Sequence, residues 1–114
     1  MDITARINRG ESFIVANDGQ FLGKLTLNTY DSESIFNPYG LYGSVYSATS
    51  IHNRYSTYGS PYSSLSPFNP FTFTPPVIYL RGSKAGFLSV NPYLNGSVNP
   101  NNINDWMKYN HIYY

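Results

Sequence analysis

Several things are missing from this chain, and each absence closes a class of explanation. It has no cysteine among its 114 residues. Disulfides, thiolate nucleophiles and cysteine-ligated metals are therefore excluded. Charged residues make up 11%, less than half the usual share of about 25%. Seven basic and six acidic residues leave a formal net charge of +1, so strong electrostatic attraction to nucleic acid or acidic membranes is not expected. Disordered chains poor in hydrophobic residues usually carry a high net charge, and this one does not. No run approaches the ~18 apolar residues of a membrane span. The opening Met1–Ser12 stretch is polar and lacks the apolar region of a secretory leader, so a soluble, cytoplasmic chain is expected, with non-classical export left open.

What the chain does have is aromatic. Phe, Trp and Tyr supply 18% of it, with 12 tyrosines, and they lie among Ser, Asn, Gly and Pro. Sliding the sequence by 16 residues places Ser34-Ile-Phe-Asn-Pro-Tyr39 on Ser50-Ile-His-Asn-Arg-Tyr55, and then on Ser66-Pro-Phe-Asn-Pro-Phe71. Tyr42-Gly-Ser-Val-Tyr-Ser47 likewise falls on Tyr58-Gly-Ser-Pro-Tyr-Ser63. Residues 31–78 thus read as three units, the last one degenerate. A shift of 63 aligns Gly23–Asn28 with Gly86–Asn91, and Ile14-Val15 with Val77-Ile78. These matched segments predict β-hairpins within 13–30 and 77–93.

In the first hairpin, Asp18-Gly19 is a two-residue turn signal. Phe21, Leu25 and Leu27 alternate with Lys24, Thr26 and Asn28, which predicts a strand with one buried face. Gly23 sits on that face, where a missing side chain suits a bulge or close approach. Asn99-Pro100 reads as a helix cap with proline at the first helical position, and Ile103, Trp106 and Met107 share a face. A short helix is predicted over 100–109. The expected fold is mostly β: one small domain over 1–114, made of β-hairpins and turn-rich aromatic loops, with one short C-terminal helix.

The Asn-x-aromatic signature recurs at Asn28, Asn37, Asn53, Asn69 and Asn91. Asn closes an Asx-turn on its own backbone, and proline presets the next turn position. Gly40, Gly43 and Gly59 are available for positive φ. Ordering so long a loop region outweighs what its aromatic rings gain by burial. Regular backbone hydrogen bonding within the segment is therefore expected, as is docking on the hairpins and self-association.

The pattern IFNPYGLYGSVYS, SIHNRYSTYGSPYS and SPFNPF, bracketed by DGQFLGKLTLN and GFLSVNPYL, resembles a set of bacterial, including cyanobacterial, Asn-Pro-Tyr/Tyr-Gly-Ser repeat proteins of unknown function. It is similar to the bacterial four-fold β-flower domain over about residues 13–109. That resemblance implies a small repeated-hairpin fold and carries over neither an activity nor catalytic residues.

No catalytic constellation stands out. His52 occupies the position of Phe36 and Phe68 in the other units, which points to a polar substitute for a structural aromatic. His52 and His111 are too far apart to suggest a metal site. Asp31 and Glu33 share a face if extended, yet no cleft across which they could act is indicated. Ser44, Ser47, Ser60 and Ser63 recur at unit positions, which favours turn bonding over nucleophilic chemistry. Tyr39, Tyr42, Tyr46, Tyr55, Tyr58 and Tyr62 are read chiefly as core, with some rings exposed as a platform. The expected function is a non-catalytic structural or interaction module that forms a homo-oligomer, without cofactor or metal. The alternative is a saccharide- or nucleotide-binding module. Its candidate ligand residues are Tyr39, Tyr42, Tyr55, Tyr58, His52 and Arg54.

Overall fold

Residues 3–113 are described by a computed structural model. Two antiparallel strand pairs form the centre of the molecule. In the first, β1 (Phe13–Val15) pairs with β2 (Phe21–Lys24); in the second, β3 (Val77–Leu80) pairs with β4 (Ser83–Leu88). β1 also pairs antiparallel with β3, and β5 (Ser97–Val98) runs parallel to β4 at one edge. The order across the five-stranded sheet is β2-β1-β3-β4-β5. No helix among the described residues is long and apolar enough to cross a membrane.

The first turn holds three residues, Asn17-Asp18-Gly19, rather than two, closed by Ala16 N–H to Gln20 O at 2.8 Å. Gly19 there has φ +93°. The second turn is the two-residue Arg81-Gly82, with φ +49° and +82°, the paired positive values a tight hairpin demands. That one-residue difference corrects the expected offset. Ile14 corresponds to Ile78, 64 residues on, while Gly23 corresponds to Gly86, 63 on; the sheet pairs Ile14 with Gly23 and Ile78 with Gly86. Both pairs carry a bulge next to that isoleucine.

The sheet is covered on both faces, which overturns the expectation of one buried face. Ile14, Leu22, Leu25, Ile78 and Leu88 build the main core. Phe13, Val15 and Phe21 build a second one on the opposite face. Leu22, between the expected apolar positions, is as buried as Leu25 because the main core lies on its side. The second core is covered by an element that the polar start of the chain did not suggest, α1 (Ile3–Asn8). Ile3 and Ile7, one helical turn apart, pack against it. A 3-10 turn (Pro100–Asn102) leads into α2 (Ile103–Tyr109). Asn99 caps the turn by accepting from Asn101 N–H at 2.9 Å, and Ile103 and Met107 face the main core.

Residues 28–74 form neither strand nor helix. Every third residue is small and polar or glycine, and its N–H donates to the carbonyl three residues back. The chain of bonds runs Asp31 to Asn28, Ser34 to Asp31, Asn37 to Ser34 and Gly40 to Asn37. A four-residue step, Ser44 N–H to Gly40 O, resets the count, and the same order continues through Ser47, Ser50, Asn53 and Ser56. A second such step, Ser60 to Ser56, precedes Ser63, Ser66, Asn69 and Thr72. The 16-residue period is thus five triplets plus one residue. Ser34, Ser50 and Ser66 are wholly buried, as are Ile35, Ile51 and Pro67 beside them. These are the points at which the turns meet the main core. The edge of β2 is closed by the same segment: Lys24 N–H donates to Glu33 O at 2.7 Å and Lys24 O accepts from Ile35 N–H at 3.2 Å.

Gly40, Gly43 and Gly59 do not adopt positive φ, contrary to expectation. They serve close approach instead. A Cβ at Gly43 would stand 2.0 Å from Asn37 O, and one at Gly59 would stand 2.1 Å from Asn53 O.

Candidate functional site

The turns decide where the aromatic rings go. In five Asx-turns the asparagine Oδ1 accepts from the N–H two residues on, and that residue is aromatic. Asn28 holds Tyr30 at 3.0 Å, Asn37 holds Tyr39 at 2.9 Å, and Asn53 holds Tyr55 at 3.0 Å. Asn69 holds Phe71 and Asn91 holds Tyr93, each at 3.0 Å. Ser44 and Ser60 do the same for Tyr46 and Tyr62 through Oγ, at 3.1 and 3.2 Å. The asparagine amides also bind backward. Asn37, Asn53 and Asn69 donate to the carbonyls of Asp31, Ser47 and Ser63, six residues earlier, at 3.2, 3.0 and 3.1 Å. Asn91, buried, reaches across to Thr72 O at 2.8 Å and ties the second strand pair to the turn segment.

With the backbone occupied in this way, the rings point out. Tyr30, Tyr39, Tyr46, Tyr55, Tyr62, Phe71 and Tyr93 are between 82% and 99% exposed. They fall in two series of period 16, Tyr30/Tyr46/Tyr62 and Tyr39/Tyr55/Phe71, with Tyr93 beyond. The expectation that the repeated tyrosines chiefly form core is therefore corrected. The core positions of this segment are the isoleucines and Pro67, and most tyrosines are displayed. No hydroxyl of these exposed tyrosines has a hydrogen-bond partner among the described residues. An exposed ring of that size gains nothing for the isolated fold.

The six candidate ligand residues do not converge on one site. Tyr39 and Tyr55 belong to the exposed array. Tyr42 is half-buried and lies edge-on to Phe21, with centroids 4.9 Å apart, so it packs the second core. Tyr58 is half-buried against the main core and donates its hydroxyl to Asp18 at 2.8 Å. Burial first, and the Asp18 hydrogen bond second, push its phenol above the ordinary value. His52 and Arg54 line a separate cleft of about 480 Å³.

Asp31, Glu33 and the recurring serines do structural work. Ser44, Ser47, Ser60 and Ser63 each accept an N–H two residues on. Asp31 accepts from Lys24 Nζ at 2.8 Å, and that bond holds its carboxyl below the usual range. Glu33 accepts from Arg6 at 2.5 Å, and its carboxyl is likewise lowered, chiefly by that bond. Arg6, only 2% exposed, went unnoticed in the sequence. It also binds Glu11 at 2.8 Å and lies 3.7 Å over the Phe21 ring. Glu11 receives Arg9 as well. Arg6 thereby pins α1 to the second core and to the start of the turn segment. Nothing in its sequence spacing announced this, because its partners are 5 and 27 residues away. Among the described residues no group of three His, Asp or Glu could hold a metal ion.

No family model, no curated protein and no solved structure matches this chain.

Proposed function

We propose that this chain is a non-catalytic interaction module that associates with copies of itself through its displayed aromatic rings. The carrying observation is that seven aromatic side chains, each fixed by a turn bond to its own N–H, stand between 82% and 99% exposed. Tyrosine suits this use because it presents a large, stiff apolar body with a polar tip and loses little rotamer freedom when buried. Each ring buries roughly 150–250 Å² when covered. About four of them reach the ~800 Å² per partner of an ordinary stable interface. A net charge of +1 opposes self-contact only weakly.

Three features support the reading. Hydrogen bonds recur at 16-residue steps, as tandem copies of one unit over 31–78 require. Glu11, Asp18, Asp31 and Glu33, with Ser44, Ser47, Ser60 and Ser63, are engaged in ion pairs and turn bonds. The resemblance to bacterial Asn-Pro-Tyr/Tyr-Gly-Ser repeat proteins, which implies no activity, agrees with a cytoplasmic structural role.

Sedimentation equilibrium over a hundredfold concentration range tests it. The unaltered chain is expected to form a discrete multimer. The triple variant Tyr39→Ser, Tyr55→Ser, Phe71→Ser is expected to stay folded and sediment as a monomer. A monomer at every concentration, or a multimer indifferent to those three substitutions, would sink the proposal.

A further inference from the structure

Across the three windows spaced by 16, the middle one departs from both neighbours at two positions only. Ser34-Ile-Phe-Asn-Pro-Tyr39 and Ser66-Pro-Phe-Asn-Pro-Phe71 share Phe and Pro where Ser50-Ile-His-Asn-Arg-Tyr55 has His52 and Arg54. Both departures replace an apolar residue by a polar or charged one, and both line the same cleft of about 480 Å³. That volume is within the range of small-molecule sites, roughly 300–1,000 Å³.

The chemistry of the cleft is specific. Its walls include Pro61, Phe68 and Val90, flat or branched apolar surfaces. His52 Nε2 lies 2.8 Å from Ile35 O. A carbonyl only accepts, so Nε2 carries the proton, and in the neutral ring Nδ1 is a bare acceptor. Among the described residues nothing donates to it. The Arg54 guanidinium is exposed and joins no ion pair among the described residues, although it is one of only seven basic groups. The Asn101 side-chain amide, on the 3-10 turn, is also without a partner among them. No carboxylate lines the cleft.

We propose that this cleft binds a small heteroaromatic anion. The ring lies against Phe68, Pro61 and Val90, an N–H or O–H of the ring donates to His52 Nδ1, and a phosphate or carboxylate meets Arg54. Asn101 bonds a polar substituent of the ring. Arg54 and Pro61 also border a neighbouring recess with Tyr55 and Tyr62, so the site adjoins the displayed rings.

The test uses the full chain and three probes, uridine monophosphate, uridine and indole-3-carboxylate, by isothermal titration calorimetry. Binding of uridine monophosphate but not uridine supports the anion site and identifies phosphate as the anion; binding of indole-3-carboxylate supports it with a carboxylate. The decisive variant is His52→Phe with Arg54→Pro, which gives the middle window the residues of its neighbours. The Arg54 N–H donates no backbone hydrogen bond, and proline stands at the matching positions Pro38 and Pro70. The double variant loses the His52–Ile35 O bond and is expected to melt lower yet remain folded, and to weaken binding by about tenfold or more, as loss of a charge-assisted contact requires. Equal binding by the double variant, or no binding of either anion to the unaltered chain, would overturn the proposal. Intermolecular nuclear Overhauser contacts from the Phe68 ring and Val90 methyls to the bound probe provide a check on the unaltered chain. Their presence supports the site, and their absence in a bound sample places the probe elsewhere and removes the proposal.

Discussion

The strand region and the turn segment solve the same problem in opposite ways. In the strands, backbone groups pair with neighbouring strands, so side chains are left to fill two cores: all three residues of β1 are buried. In residues 28–74, most backbone bonds close locally, three or four residues back, and a Ser, Asn, Asp or Thr side chain takes up a neighbouring N–H. Few side chains there remain free for the core, and essentially one position per 16 residues, Ile35, Ile51 or Pro67, is fully buried together with its serine. The difference teaches that a chain short of aliphatic residues can still be ordered, provided small polar side chains satisfy its backbone. Aromatic rings are then released to the surface.

The largest expected effect comes from removing one of the few core contacts of the turn segment. Ile51→Ala should destabilise by about 2–5 kcal/mol in chemical denaturation, because the side chain is wholly enclosed. A loss below ~1 kcal/mol would mean that the turns stand without the core, and the contrast between the regions would fail.

Next is the Arg6 cluster, where the two regions are joined. Asp31 and Glu33 bind protons less readily folded than unfolded, since Lys24 and Arg6 hydrogen-bond their charged forms. Their contribution to stability is therefore complete above the ordinary carboxylate range and is lost as pH falls through it and below. Unfolding free energy should be flat from neutral pH to about 5 and decline below ~4.5. Arg6→Met should lower stability at neutral pH by about 1–3 kcal/mol and flatten that acid decline. An unchanged acid profile in the variant would show that the Glu33 pair does not link α1 to the turns.

Asn53→Ala removes one acceptor for Tyr55 N–H and one donor to Ser47 O. A loss of about 1–2 kcal/mol is expected. Tyr55→Ser, two residues on, should stay within ~0.5 kcal/mol because that ring is fully exposed. If the tyrosine substitution is the more harmful of the two in a monomeric sample, the ring has a structural role that its exposure denies.

Much of the architecture was legible in particular residues. The antiparallel pairs around 13–28 and 77–91 followed from the matched segments and their glycines, although the first turn holds three residues and the strands bury both faces, and the C-terminal helix followed from Asn99-Pro100 and its apolar face. α1 was not legible, since Ile3 and Ile7 are too few to show a period in a polar stretch. The three-residue period was present in the sequence: a small polar residue or glycine stands at each turn position from Asn28 to Thr72. It was hidden by the two four-residue steps, which break a simple count. Of the candidate site, the pairing of His52 with Arg54 in one cleft could be guessed from their spacing, whereas the cleft's other walls, Phe68, Val90 and Asn101, come from distant segments.

The sequence by itself determined the local chemistry: which residues turn and which asparagines hold which aromatic. These are contacts between residues two to six positions apart, and a linear pattern records them. Only the tertiary structure decided which face of each turn meets the core. The main core offers a limited apolar surface, and Ile35 and Ile51 occupy it. The tyrosines held by the turn bonds, bulkier and tipped with a hydroxyl that would need a buried partner, are left facing solvent.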